Sequence, residues 1–224
     1  MQPPDPYWAN VYLLLHGAGS TGSQTFVDSS TTAHTTSGVG TNTNIQPTPS
    51  KFGSNIYLPG GSQSLFFYSA TDTGFNLNQT AFTWEAWIYE TAGSQDAFVS
   101  KRGIGGPRGW AVFTYQLSAV INGVWSDTQM TYGAAHPGFN TWFHFAFVKD
   151  GTELRVFVDG VRAATKTGVT SIGNETTTGM IFGVGDYITL SAPLIGNLEE
   201  VRYTRGIARY NADFTPPTQP FPNY

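Results

Sequence analysis

The 224-residue chain has no cysteine, few charged side chains and no long apolar run. The absence of cysteine excludes a disulfide framework, a thiolate metal site and a thiol nucleophile. Charged residues make up 12% of the sequence, about half of the usual share. Because long surface helices carry dense Glu, Lys and Arg, this scarcity, together with 26 glycines, predicts an all-β protein with strands joined by tight turns.

The missing features also exclude classes of function. Nucleic-acid-binding proteins carry an excess of basic residues, whereas this chain has a net charge of −4. We therefore expect no nucleic-acid partner. No apolar run approaches the roughly 20 residues of a membrane span, so we expect no membrane insertion. The N-terminal sequence MQPPDPYWAN has neither the basic nor the apolar region of a signal peptide. This predicts synthesis in the cytoplasm without such a signal.

Alternating and turn-forming patterns indicate where the strands lie. Residues 81–90 (AFTWEAWIYE) alternate with a period of two, and 141–165 contain two favoured hairpin turns, Asp150-Gly151 and Asp159-Gly160. Such spacings predict about 12 to 14 short strands in one sandwich. We therefore expect a Pro-rich N-terminal arm at 1–9, a single domain at 10–214 and a Pro-rich extended tail at 215–224.

Four segments, in order, carry a resemblance to a known family: AFTWEAWIYE, FVSKRG, TWFHFAFVKDGTELRVFVDGV and NLEEVRYTRGIARYNADFTPPTQPFP. Together they resemble concanavalin A-like, laminin-G-type jelly-roll domains. They are similar to the examples found in structural proteins of tailed bacteriophages. The resemblance implies a two-sheet antiparallel jelly-roll sandwich, the concanavalin A-like lectin/glucanase fold, and a place on a virion surface.

The same resemblance implies a calcium ion with ligands from two regions. One is the loop that contains Asp28, and the other is the last strand, where Glu199 stands at a position that is usually Asp. Calcium needs several converging oxygen ligands, including carboxylates. The alternative is that Asp28 is a turn residue whose carboxylate accepts hydrogen bonds from backbone N–H groups.

Two loops contain the residue types that hold sugars. Carbohydrate binding needs aromatic faces for the C–H surface of a sugar and polar groups for its hydroxyls, and recognition residues often lie in loops on a rigid scaffold. The alternative for the two tryptophans is a place in the core near strand ends. Residues 101–110 and 121–140 supply the candidates, namely Arg102, Arg108, Trp110, Asn122, Trp125, Asp127 and Tyr132.

The C-terminal segment 196–222 predicts a final strand, a short turn and an extended proline-rich run. Prolines there would keep a sheet edge from pairing with another chain. The three arginines of this segment are expected to pair with local carboxylates, and the alternative is a site for an anionic ligand. The arginines are Arg202, Arg205 and Arg209, and the expected partners are Glu199, Glu200 and Asp213.

Three functional hypotheses follow. In the first, the protein is a non-catalytic virion-surface module that binds host or environmental glycans. In the second, it is a structural decoration or tail-accessory protein that docks on other virion proteins of a phage capsid or tail, with a homo-oligomer as one form. The third, glycoside hydrolysis, needs paired carboxylates. We set it aside because the adjacent Glu199 and Glu200 are expected to point to opposite faces of a strand.

Overall fold

A computed structural model describes residues 2–61, 64–93, 96–102, 109–186 and 189–224. It contains two packed antiparallel sheets, which confirms the all-β jelly-roll sandwich. Helical structure in these residues is limited to three 3-10 turns, Trp8–Asn10, Thr73–Phe75 and Gly133–Ala135. No helix in the described part of the chain is long and apolar enough to cross a bilayer.

Fifteen strands lie within the described residues. In chain order they are β1 (Val11–Leu15), β2 (Gly38–Val39), β3 (Asn44–Gln46), β4 (Asn55–Pro59), β5 (Phe66–Phe67), β6 (Ala81–Ala92), β7 (Ala97–Lys101), β8 (Trp110–Phe113), β9 (Gln116–Ile121), β10 (Val124–Thr131), β11 (Trp142–Asp150), β12 (Glu153–Val158), β13 (Val161–Lys166), β14 (Ile181–Phe182) and β15 (Ile195–Arg205).

The strands form one sheet of eight and one of seven. The eight-stranded sheet has the order β13-β12-β11-β6-β15-β4-β3, and β1 pairs with β15 beside this path. The seven-stranded sheet has the order β10-β9-β8-β7-β14-β5-β2. Because β15 pairs with β1, β4 and β6, the last strand holds together distant parts of the chain.

The core lies between the sheets and contains the side chains on one side of each long strand. In β6, Trp84 and Ile88 face this core, whereas Trp87 points to the opposite side of the sheet. Trp84 stacks on Tyr203 of β15 with ring centroids 4.3 Å apart. The period of two read from residues 81–90 is thus confirmed, because only alternate side chains can enter a core on one side of a sheet.

Both Asp-Gly turns connect paired strands as predicted. Asp150-Gly151 joins β11 to β12, and Asp159-Gly160 joins β12 to β13. The two glycines have φ of 57° and 76°, a left-handed conformation that glycine adopts without a steric penalty. These turns fix the register of three neighbouring strands of the eight-stranded sheet.

The terminal segments pack against the sandwich and against each other. Phe221 is 4% exposed, and the Arg202 guanidinium carbon lies 3.6 Å from the centroid of its ring. The backbone N–H of Asp5 donates to the carbonyl of Tyr224 at 3.0 Å. The segments expected to be an arm and a tail therefore lie along the surface of the domain.

Candidate functional site

Three of the predicted ligand residues meet at one edge of the seven-stranded sheet. Trp125 and Asp127 lie in the edge strand β10, and Arg102 directly follows β7. The Arg102 guanidinium carbon is 4.8 Å from the centroid of the Trp125 ring. Its Nη2 is 3.8 Å from Oδ1 of Asp127, whose side chain is 65% exposed. We call these three side chains the edge cluster.

The β9–β10 hairpin positions the edge cluster. Its turn residues, Asn122 and Gly123, have φ of 52° and 80°, the left-handed conformation of tight hairpin turns. The side chain of Asn122 is used within the fold. Its Oδ1 accepts from the N–H groups of Thr170 and Ser171, and its Nδ2 donates to the carbonyl of Gly168. Asn122 thus anchors the hairpin and does not join the edge cluster.

Trp110 and Tyr132 lie in the core, although the sequence placed them among the ligand-binding residues. Trp110 is 0% exposed and packs between the sheets. Tyr132 is 3% exposed, and its hydroxyl donates to the carbonyl of Phe113 at 2.7 Å. Neither ring has a face that a sugar can reach. Arg108, the remaining candidate, lies outside the described residues.

The edge cluster combines the groups that hold a sugar. A guanidinium over an indole is attracted by the ring and keeps both groups oriented. The Arg102 N–H groups can donate to a sugar hydroxyl, and the Asp127 carboxylate can accept from one. Most side chains of β10 are exposed or half-buried, so a ligand can approach along this edge.

The two predicted calcium ligands occupy separate hydrogen-bond networks. The Asp28 carboxylate accepts from the N–H groups of Leu14, Ser30 and His34 and lies 2.6 Å from Nδ1 of the His34 ring. Burial would raise the pKa of Asp28, but these hydrogen bonds hold the pKa below its usual value. Within the described residues, no group of three or more His, Cys, Asp or Glu could hold a metal ion. Asp28 and Glu199 therefore do not fit a shared calcium site.

Glu199 and Glu200 share one face of β15, beside a pocket of about 370 Å³. The register of β15 against β6 shifts between Glu199 and Arg202, and Glu200 has φ of 53°. Leu198 and Val201, on either side, both face the core, so both glutamates point away from it. The expectation of opposite faces is wrong because a β-bulge inserts an extra residue here.

Each carboxylate of this pair holds a chain segment. Glu199 accepts from the N–H groups of Lys51 and Phe52, both at 2.7 Å. Glu200 accepts from the N–H of Phe221, also at 2.7 Å. Burial raises the pKa of Glu199 to about 7, although its two N–H bonds act in the opposite direction. The sequence shows the two adjacent acids, but nothing in it signals the bulge that brings them to one face.

Arg202 and Arg209 form a buried ionic network, and the expected pairing with carboxylates close in sequence is wrong. Arg202 lies 2.9 Å from the Asp5 carboxylate and 2.8 Å from that of Glu85, and Arg209 lies 2.8 Å from Asp5. Burial would raise the pKa of Glu85, but the charge of Arg202 holds this pKa well below its usual range. Asp5 and Glu85 are 197 and 117 positions away from Arg202, so no local pattern identifies them.

The two-sheet sandwich places this chain in the class of proteins with a lectin-like β-sandwich fold. Residues 59–206 match the family model Laminin_G_3, which is described as the concanavalin A-like lectin/glucanases superfamily, and the chain belongs to this family. No curated protein matches it in sequence.

Solved structures are similar to this chain in fold, at low sequence identity. The binding domain of Paraclostridial Mosquitocidal Protein 1 is 15% identical with a TM-score of 0.64, over 89% of this chain and 49% of that chain. The botulinum neurotoxin serotype D binding domain is 10% identical with a TM-score of 0.59, over the same shares. A structure reported for the dependence of botulinum neurotoxin type C cell entry on two ganglioside molecules is 15% identical with a TM-score of 0.58, over 88% and 48%. This chain therefore spans about half the length of these toxin structures.

Proposed function

We propose that the protein is a non-catalytic carbohydrate-binding module that holds host or environmental glycans at the edge cluster. The observation that carries this proposal is the stacking of Arg102 on Trp125, with Asp127 beside both, on an accessible edge strand. The indole contributes a flat apolar surface, and the two charged groups contribute donors and acceptors for hydroxyls. The ganglioside interaction of the botulinum neurotoxin type C structure supports the class of ligand.

If each copy of the protein binds a glycan only weakly, display of many copies together would compensate for this weak binding. A single shallow cluster makes few contacts, and linking several copies raises the overall affinity without any new contact. We therefore place the module on a virion surface, made in the host cytoplasm and attached to other virion proteins. The resemblance of its motifs to those of tailed-bacteriophage structural proteins supports this location.

A glycan array probed with the purified chain in multivalent form tests the proposal. We expect specific signals that Trp125→Ala reduces at least tenfold, because this substitution removes the stacking surface. Phe139→Ala is the matched control, since Phe139 is also an aromatic side chain, 41% exposed, and lies outside the edge cluster. Thermal unfolding must show that both variants fold. Signals that persist in Trp125→Ala, or an array without any signal, would contradict the proposal.

Glycoside hydrolysis is the second candidate, because the bulge in β15 places Glu199 and Glu200 on one face of a pocket that His16 also lines. Their oxygen atoms, however, accept backbone N–H bonds, which is a role in holding the chain. We expect no release of reducing ends from glycans that the chain binds. Release that is lost in both Glu199→Gln and Glu200→Gln would favour the hydrolase.

A further inference from the structure

Of the three arginines in the C-terminal segment, only Arg205, the last residue of β15, lies outside the buried ionic network. The other arginines that the structure describes each lie within reach of a carboxylate or carbonyl group. Arg205 has no ion pair with an Asp or Glu of the described residues, and its Nε–H is buried there without a hydrogen-bond partner. The residues outside the described ranges contain no Asp or Glu. No acidic side chain of this chain therefore pairs with Arg205.

The pairing of β1 with β15 holds the Arg205 side chain in a defined place. Val11 stands opposite Thr204, and Tyr12 and Arg205 lie next to this pair. The Arg205 guanidinium carbon is 4.8 Å from the centroid of the Tyr12 ring, which attracts the cation and orients it. Tyr12 is itself held, because its hydroxyl donates to Asp72 at 2.6 Å. A guanidinium that is already oriented loses little freedom when a ligand binds.

Arg205 and Tyr12 line a pocket of about 330 Å³ at the end of β15. None of the residues that line this pocket is acidic, and most of its side chains carry polar groups. A β-carbon at Gly206 would lie 3.8 Å from the amide nitrogen of Asn10, which places this amide beside the residue that follows Arg205. The pocket is open to solvent, because three of its polar residues are exposed, namely Asn10, Thr31 and Thr32.

Two carboxylates near Tyr12 are engaged within the fold and limit the charge of a ligand. Asp72 accepts from the Tyr12 hydroxyl and lies 3.1 Å from Nε2 of His34. Asp28 lies 2.6 Å from Nδ1 of the same ring. Their negative charges would repel a phosphate group, which carries about two negative charges. A single negative charge, in contrast, can be balanced by Arg205 alone.

A carboxylate fits an oriented guanidinium that lacks an acceptor. The planar fork of an arginine can donate two parallel N–H bonds to the two oxygen atoms of one carboxylate. Because a buried donor without an acceptor is costly, a ligand that accepts from the Arg205 Nε–H would remove this cost. The Asn10 amide and the hydroxyls of Thr31 and Thr32 can bond to polar substituents of the same ligand. A volume of about 330 Å³ is at the lower end for ligand pockets, which indicates a small ligand.

We propose that this pocket binds a small polar carboxylate, with the carboxylate group on the Arg205 guanidinium and the polar substituents at the three exposed residues of the wall. The same chemistry occurs in free organic acids and in the acidic side chains of proteins. The site does not depend on glycan binding at the edge cluster, because that cluster lies in the other sheet. A failure of either site therefore leaves the other one unaffected.

An NMR titration of the full chain, followed at the arginine Nε–H signals, tests this site. The probes are acetate, lactate and a peptide with blocked ends and one aspartate, with inorganic phosphate for comparison, all at constant ionic strength. We expect a saturable shift of the Arg205 Nε–H signal with dissociation constants of about 1–10 mM, since a ligand of few atoms supplies little binding free energy. Lactate should bind more tightly than acetate, because its hydroxyl can bond to the pocket wall. Tighter binding of the peptide than of lactate would assign the carboxylate to a protein side chain, and weaker binding to a free acid.

Variants of Arg205 separate this pocket from general attraction of anions. Arg205→Ala should weaken lactate binding at least tenfold. Arg205→Lys should weaken it as well, because an ammonium cannot donate two parallel bonds in the same plane. Binding to these variants is followed at the backbone N–H signal of Gly206, and thermal unfolding shows whether they fold. Arg162→Ala is the matched control, since it also removes one positive charge but lies outside the pocket, and it should bind lactate as the wild type does.

Four results would overturn the proposal. The first is a shift that grows without saturation for every carboxylate, and the second is equal lactate binding by the wild type and Arg205→Ala. The third is a loss in Arg162→Ala as large as that in Arg205→Ala. Tighter binding of phosphate than of lactate is the fourth, because it would contradict the preference for a single negative charge. A glycan array without any signal would contradict the edge cluster and would leave these four comparisons unchanged.

Discussion

Arg202 shows how a charged side chain can be accommodated on the covered face of a sheet. Asp5 and Glu85 contact its guanidinium from two sides, and Phe221 covers it. A buried charge is costly when it is unpaired, so removing one partner costs more than the pair contributes. The network therefore ties the first residues of the chain, β6 and the C-terminal segment to one position in β15.

Arg202→Ala should destabilise the fold strongly, because it takes from the buried Glu85 carboxylate its nearest cation and leaves Asp5 with Arg209 alone. We expect a loss of about 3–5 kcal/mol in the free energy of unfolding, measured by denaturant unfolding. Arg205→Ala is the control, since Arg205 lies over the Tyr12 ring at 4.8 Å and has no ion pair among the described residues. Its loss should stay at or below about 1 kcal/mol. Equal losses in the two variants would contradict this account of the network.

Glu199 should contribute more to the stability of the fold at acidic pH than at neutral pH, which is the opposite of the usual behaviour of a carboxylate. Its pKa is about 7 in the folded protein against a usual 4.5, so between these values the folded state holds a proton that the unfolded chain releases. Its contribution to stability is therefore complete below pH 4.5 and is lost as the pH rises through 7. We expect Glu199→Gln to flatten the fall in Tm between pH 5 and 8. An unchanged slope in this variant would show that Glu199 does not titrate in this window.

The residue types of the candidate sites could be identified from the sequence, but their environments could not. Trp125 and Trp110 occur in similar loop-like segments, yet one lies on an edge strand and the other in the core. Which side of a sheet a residue faces near a turn depends on register, and register is set by pairing with distant strands.

At the scale of elements, the Asp159-Gly160 turn links a hairpin to the C-terminal segment. The N–H of Phe214 donates to the carbonyl of Gly160 at 2.9 Å. A β-carbon at Gly160 would lie 1.9 Å from the carbonyl oxygen of Phe214, whereas a β-carbon at Gly151 would meet nothing within 4 Å. The glycines of both turns have positive φ, but the turns differ in what packs on them.

Gly160→Ala should therefore destabilise the protein more than Gly151→Ala does. Both substitutions place alanine in a left-handed conformation, at a cost of roughly 1–2 kcal/mol. Only Gly160→Ala must also displace the C-terminal segment. We expect its Tm to fall several degrees further, together with faster proteolysis near residue 214. Equal Tm values for the two variants would show that the segment does not depend on this contact.

The bounds of the long strands could be read from the sequence, whereas the bounds of the shortest strands could not. β6 and β11 have alternating patterns over 12 and 9 residues, which are sufficient to specify a face and a length. β2, β5 and β14 have only two residues each, so their sequences contain no period. They form because neighbouring strands already present partners in register. The bulge in β15 was also beyond sequence analysis, because alternation alone implies a regular strand.

At the scale of the whole molecule, the two sheets differ in how much of their outer surface the chain itself covers. The edge cluster lies at an edge of the seven-stranded sheet, whereas the terminal segments pack on the eight-stranded sheet. The terminal segments cover only part of the latter. This arrangement leaves the edge strand β10 accessible, as the proposed binding at the edge cluster requires.

The most direct measurement is an NMR titration of the indole N–H signals of the six tryptophans, assigned with single Trp→Phe variants. Glycans that give a signal on the array are added in increasing concentration. The account predicts that glycans shift the Trp125 signal and that the signals of Trp84 and Trp110, which are buried in the core, stay in place. If no indole signal moves at any carbohydrate concentration, the central claim that this protein binds carbohydrate is contradicted.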